Sequence, residues 1–167
     1  MFNNKKNLFP FVIALALTVS FGCSKKDELN PDENPVPTSA GADDNSAIGD
    51  SDTGRAMGLQ TIHFPYDSYE LSAADKEALA ANIQILKDKS SAKIQVEGHC
   101  DQRGGIQYNL ALGEKRANAV RKYMIDKGVQ GNRITTISFG KEKLIDQGTG
   151  EDSMAKNRRA NFVVTSR

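Results

Sequence analysis

The sequence predicts an α+β fold, a two-layer sandwich ordered β-α-β-α-β-(α)-β, with helices on one face of a four-stranded mixed sheet. Three observations carry this. Short stretches alternate apolar and polar residues, two longer ones repeat apolar residues at spacings of three and four, and the two patterns take turns over about 110 residues from residue 59 to the end.

The first strand is short, over residues 61–64, and ends in a turn over residues 65–68 that Pro65, Asp67 and Ser68 favour. Ser72 followed by Asp75 is a capping-box-like start, with the Ser72 hydroxyl accepting from first-turn N–H groups and Asp75 favoured by the helix dipole. Leu79, Ile83 and Leu86 then repeat at helical spacing, which predicts a helix over residues 73–89. Residues 93–97 alternate, so Ile94 and Val96 share the core face of a second strand, which runs into a Gly-flanked loop over residues 98–105. Leu110, Ala117, Val120 and Met124 form the apolar stripe of a second helix over residues 107–127, and Gly128 is its stop. Residues 134–139 make a third strand, a short helix lies around residues 152–157, and residues 160–165 make the fourth strand.

Ahead of this domain lie two unlike segments. Residues 1–22 have Lys5 and Lys6 before an apolar run over residues 8–21, shorter than the roughly 20 residues a membrane span needs and laid out as an export signal. Gly22 followed by Cys23 is similar to a bacterial lipoprotein cleavage site, where the thiol takes diacylglycerol, the chain is cut before the cysteine, and the new amino terminus is acylated. Three acyl chains, at about 0.8 kcal/mol per buried CH₂, make a stable attachment. Ser20 stands where leucine is usual, and Ser24 after the cysteine implies outer-membrane sorting by the enterobacterial rule. Residues 23–58 read as the lipidated cysteine and an acidic tether. Residues 24–55 hold eight Asp/Glu against three Lys/Arg, include Pro31, Pro35 and Pro37, and lack apolar periodicity, so disorder is expected there.

The charge of the whole chain, 22 basic against 21 acidic residues, gives no electrostatic footprint for nucleic acid. Catalysis finds no support, because no nucleophile motif accompanies His99. His63, His99 and Cys100 lack the spacing of a metal site, and no cofactor is implied. Cys100 reads as a small apolar side chain, and His99 as part of loop packing or a pocket wall. Asp101 sits in a loop at the carboxyl end of a strand, where side chains are free to face a ligand. Arg116, fifteen residues on, can return beside it on the following helix. Read alone, such a pair is either ordinary surface charge or a clamp for a zwitterion, the carboxylate taking an ammonium group and the guanidinium a carboxylate. Tyr66 and Tyr69 fit either a pocket rim or ordinary packing, and Arg158 and Arg159 fit either a structural or a ligand-facing role.

The run VEGHCDQRGGIQYNLALGEKRANAV over residues 96–120, with FPYDSY at 64–69, SFGKEK at 138–143 and AKNRRA at 155–160, closely resembles the OmpA-like peptidoglycan-binding domain family, and within it the lipoproteins. Four motifs in order, covering about residues 60–166, make the resemblance specific. It implies the fold of the OmpA carboxyl-terminal domain and a non-catalytic role, binding diaminopimelate of cell-wall stem peptides and tethering the outer membrane to the wall. By resemblance, Asp101 takes the ammonium group and Arg116 the carboxylate, while Tyr66, Asp67, Asn109 and Leu112 complete the pocket. Tol-type periplasmic proteins, TolB especially, are implied as partners in envelope integrity and cell division. The alternative implied is another lipoprotein of the family that serves mainly as a docking module for a periplasmic partner.

Overall fold

The computed structural model describes residues 49–167; the signal segment, Cys23 and the tether up to residue 48 lie outside the described residues. In chain order the elements are β1 (Gly49–Asp50), β2 (Ile62–His63), α1 (Ala73–Asp88), β3 (Lys93–His99), α2 (Ile106–Asp126), β4 (Ile134–Gly140), α3 (Glu151–Asn157) and β5 (Arg159–Ser166), with a single 3-10 turn at Gly131–Arg133. The sheet is mixed. Central β3 runs parallel to β4, pairing Ile94 with Ile134, and antiparallel to β5, pairing Val96 with Phe162. The outer edge of β5 carries two short antiparallel strands end to end, β2 against Ala160 and Arg159 and β1 against Val164 and Val163.

Local chemistry explains the helix limits. At the start of α1 the Asp75 amide donates to the Ser72 hydroxyl at 3.2 Å and the Ser72 amide donates to the Asp75 carboxylate at 2.8 Å, so the capping box is complete. At the end of α2 the Gly128 amide donates to Ile125 and the Val129 amide to Met124, a Schellman closure that needs the left-handed φ of 98° at Gly128. Val129 is buried, as that motif's apolar contact requires.

One apolar core joins the two layers. Leu79, Ile83 and Leu86 of α1 and Ala117, Val120 and Met124 of α2 pack with Ile94 and Val96 of β3 and Ala160, Phe162 and Val164 of β5. Burying each of these larger aliphatic side chains contributes about 1.5–3 kcal/mol relative to leaving it exposed.

The ordered domain begins earlier than residue 59, so the tether expected over residues 23–58 is too long at its carboxyl end. Ala56 and Leu59 are in the core, and β1 adds a fifth strand to the four expected. The chain after β1 is pinned by side chains rather than by its own pattern. Asn161 Oδ1 accepts from the amides of Ser51 and Asp52, both at 3.1 Å, and Arg159 Nε donates to Asp52 at 2.7 Å. Further along, Asn82 exchanges two hydrogen bonds with the backbone of Gln60, bringing the chain into β2.

Successive residues of β3 and β5 face opposite ways. Glu97, His99, Arg159 and Asn161 therefore lie on the face away from the core. His99 stacks on Phe139 with ring centroids 5.5 Å apart, and its Nε2 is 3.4 Å from Glu97 without hydrogen-bond alignment. Burial pushes the His99 pKa below its ordinary value, against the opposing pull of Glu97. His99 belongs to this packing and is not a wall of the pocket described next.

Candidate functional site: a cleft of paired charges

The cleft forms where β3 ends and α2 begins. Two glycines allow it. A Cβ on Gly98 would lie 1.8 Å from the carbonyl oxygen of Gly113, and one on Gly113 would lie 2.3 Å from the Ser138 hydroxyl, so helix and strand touch backbone to backbone. Asp101 and Arg116 each follow one of these glycines by three residues, and the contact sets their separation. Asn109 holds the loop between them, its Nδ2 donating to the carbonyls of Arg103 at 2.7 Å and Gly105 at 3.1 Å. From the other side comes the turn after β2, with Asp67 in the left-handed region at φ 53°.

All six residues singled out from the sequence, Tyr66, Asp67, Asp101, Asn109, Leu112 and Arg116, line this one cleft. Asp101 and Arg116 do not pair with each other, however. Arg116 is 1% exposed and donates to three carbonyls, Nε to Ser68 at 2.8 Å, Nη1 to His99 at 2.7 Å and Nη2 to Pro65 at 3.1 Å. Its second Nη1 proton points to Cys100 Sγ at 3.6 Å, which leaves one Nη2 proton of the five uncommitted. Burial lowers its pKa, yet a guanidinium stays charged.

Asp101 pairs with Arg103 at 2.5 Å and with Arg158 at 3.2 Å. Burial works to raise its pKa, but the Arg103 and Arg158 hydrogen bonds hold it below the usual carboxylate value. Arg158 also donates to Phe64 O and to Glu151 at 2.7 Å. Asp67 accepts from the Tyr108 hydroxyl. Cys100 is buried, with burial raising its pKa, and acts as a small packed side chain. The polar inventory thus has three carboxylates, from Asp67, Asp101 and Glu151, set among three guanidiniums, from Arg103, Arg116 and Arg158. Such balanced opposite charges can hold a molecule carrying both signs.

Three participants escaped the reading of the sequence as site residues. Arg103 and Tyr108 lie within the run over residues 96–120, where spacing alone gives them no ligand role. Arg158, open between a structural and a ligand-facing role on sequence grounds, is the C-cap residue of α3 just ahead of β5 and lines the cleft. Tyr69 does not line the cleft; it is 45% exposed, with the Lys115 ammonium 5.5 Å from its ring. Among the described residues no group of His, Cys, Asp or Glu is arranged to hold a metal ion.

Comparison with known proteins agrees with this architecture. The OmpA family model matches residues 63–158. The peptidoglycan-associated lipoprotein of Pseudomonas aeruginosa is 38% identical over 156 residues, covering 90% of this chain and 92% of that protein. The crystal structure of the peptidoglycan-associated lipoprotein from Burkholderia pseudomallei superposes with a TM-score of 0.61 at 39% identity, covering 62% of this chain and 88% of that one. The carboxyl-terminal domain of Helicobacter pylori MotB reaches the same TM-score at 20% identity, covering 66% of this chain and 87% of that one, and shares the fold alone. The chain belongs to the OmpA family, among its peptidoglycan-associated lipoproteins.

Proposed function

We propose that the protein is a non-catalytic anchor, held to the outer membrane by lipid on Cys23 and gripping peptidoglycan from the periplasmic side through the cleft. The ligand is the diaminopimelate of a stem peptide, which presents an ammonium group and a carboxylate on one short side chain. Asp101 receives the ammonium group, the free Nη2 proton of Arg116 meets the carboxylate, and Tyr66, Asp67, Asn109 and Leu112 shape the walls. The observation that supports this is the convergence of Asp101 and Arg116 in one cleft without their pairing to each other. Each sheltered charged contact adds about 1.5–3 kcal/mol. Single-site affinity can be modest, because many copies between two extended surfaces act at high effective concentration.

The test is sedimentation of the full chain, solubilised in detergent, with purified sacculi. Asp101→Ala and Arg116→Lys are expected to leave the pellet while melting as folded proteins, and undiminished pelleting of both would refute the site. Release of soluble muropeptides by the wild-type protein would instead mark a hydrolase. Mass spectrometry of the mature amino terminus checks the anchor; an unacylated end overturns it.

Partner docking is a second role supported by one feature. Tyr66, Ile106 and Tyr108, at the mouth of the cleft or beside it, are more than half exposed, and aromatic residues of this kind are favoured at protein interfaces. A periplasmic Tol-type protein such as TolB would occupy this rim and compete with the wall, which a pull-down with and without sacculi reads directly.

A further inference from the structure

The carboxylate of Asp101 is already full. Its Oδ1 accepts from the Arg103 amide at 3.1 Å and from Arg103 Nε at 3.2 Å, and its Oδ2 accepts from Arg103 Nη2 at 2.5 Å and Arg158 Nη1 at 3.2 Å. A carboxylate offers about four lone-pair sites. The cleft is open to solvent at its mouth, and the space left between its side chains is about 30 Å³, enough for a water molecule or two. An ammonium group can reach Asp101 only by taking another donor's place.

The two arginines are unequal candidates to yield. The Arg158 side chain is 8% exposed and is also fixed by Phe64 O and Glu151. The Arg103 side chain is 34% exposed and lies on the solvent side, its guanidinium 4.0 Å from the ring centroid of Tyr66, which is itself 60% exposed. A second acceptor is at hand for it, because Nη1 is 3.5 Å from Glu151, a side chain 62% exposed. Arg103 can leave Asp101 without being stranded.

We infer that Arg103 is an internal stand-in for the ligand's ammonium group and the residue that sets the cleft's specificity. It occupies Asp101 in the free protein and yields only to a ligand that brings a cation of its own. Binding is then an exchange of one ion pair for another. A purely anionic ligand, however well it suits Arg116, leaves Arg103 in place and finds the cleft shut. This inference rests on the stem-peptide reading above and adds the element of selection to it.

The experiment titrates full-length protein in detergent with two synthetic probes. One is N-acetyl-L-Ala-γ-D-Glu-meso-diaminopimelate, and the other is the same peptide with its remaining amine acetylated. Wild-type protein is expected to bind the first and refuse the second. Arg103→Gln is expected to bind the free-amine probe about fivefold more tightly, the upper end for losing a competing, partly exposed ion pair, and to admit the acetylated probe that the wild-type protein refuses. An Arg103→Gln protein that binds the free-amine probe equally or more weakly overturns the inference, because Arg103 is then inert or a ligand contact. In the folded wild-type protein, the ¹⁵N resonance of Arg103 Nε is also expected to shift on saturation with the free-amine probe only. Asp101→Ala run alongside separates the two claims. Wild-type binding that Asp101→Ala abolishes, with an unfavourable Arg103→Gln result, sinks the exchange alone; no wild-type binding, or binding that Asp101→Ala leaves intact, sinks the site and the exchange together.

Discussion

Arg158 and Arg159 are adjacent, nearly equally buried, and each is paired with an aspartate, yet they belong to opposite sides of the sheet and do different things. Arg158 reaches Asp101 at 3.2 Å in the cleft, and Arg159 reaches Asp52 at 2.7 Å under the chain that follows β1. The Asp52 cluster is closed. Its carboxylate accepts from Arg159 and Thr61, and Asn161 completes the neighbouring amides. The Asp101 cluster has a surplus cation, Arg103, on its exposed side and an exposed carboxylate, Glu151, to receive it. Buried ion pairs look alike in a list of contacts; what distinguishes a structural pair from a ligand-ready one is whether a partner can depart cheaply.

The sharpest way to break this comparison is to remove each arginine in turn. Arg159→Ala removes a buried guanidinium from Asp52, whose side chain is 15% exposed, and is expected to cost about 2–3 kcal/mol of stability, read by urea denaturation, while leaving wall pelleting unchanged. Loss of pelleting in that folded variant would erase the distinction. Arg158→Ala removes a fixed donor from Asp101 and is expected to cost less stability, about 1–3 kcal/mol, but to weaken sacculus binding about tenfold in a sedimentation titration.

A smaller effect concerns pH on the closed side. His99 faces Glu97, Arg159 and Asp52, and its folded pKa lies below the ordinary 6.5 chiefly through burial. Protonation therefore favours the unfolded chain, so the His99 contribution is fully present above pH 6.5 and is lost as pH falls through the folded value. Denaturation midpoints at pH 7.5 and pH 5 are expected to differ less for His99→Phe than for wild type; an equal difference would assign the titration elsewhere. Smallest of all, Thr61→Val removes an exposed bond of 3.0 Å to Asp52 and a contact of 2.7 Å with the Ser51 hydroxyl, and is expected to cost about 1 kcal/mol by the same urea measurement.

Much of the frame was legible because its signals are local. Ser72 with Asp75, the Leu79–Ile83–Leu86 stripe and Gly128 each specify their own neighbourhood, and the helices begin and end within a residue or two of expectation. β1 was not legible for the opposite reason. Gly49 and Asp50 sit in an Asp-, Ser- and Gly-rich stretch with no period, and their strand conformation is imposed by β5, more than 110 residues away. In the cleft, Asp101 and Arg116 were found through their motif, and backbone contact between two glycines explains how they come together. The occupation of Asp101 by Arg103 is a matter of side-chain geometry that residue spacing does not encode.

The attachment of β1 to the edge of β5 also has a mechanical side. A pull on the chain ahead of Gly49 meets first two residue pairs, the Ser51 contacts with Phe162 and Asn161, and the Asp52–Arg159 pair, all outside the apolar core. Peeling residues 49–55 from that edge pays out roughly 20–25 Å of chain before the load reaches Ala56 and Leu59, which are core residues. Residues 49–55 are thus a short stretch held by edge pairing and polar side chains, ahead of the first residues anchored in the core.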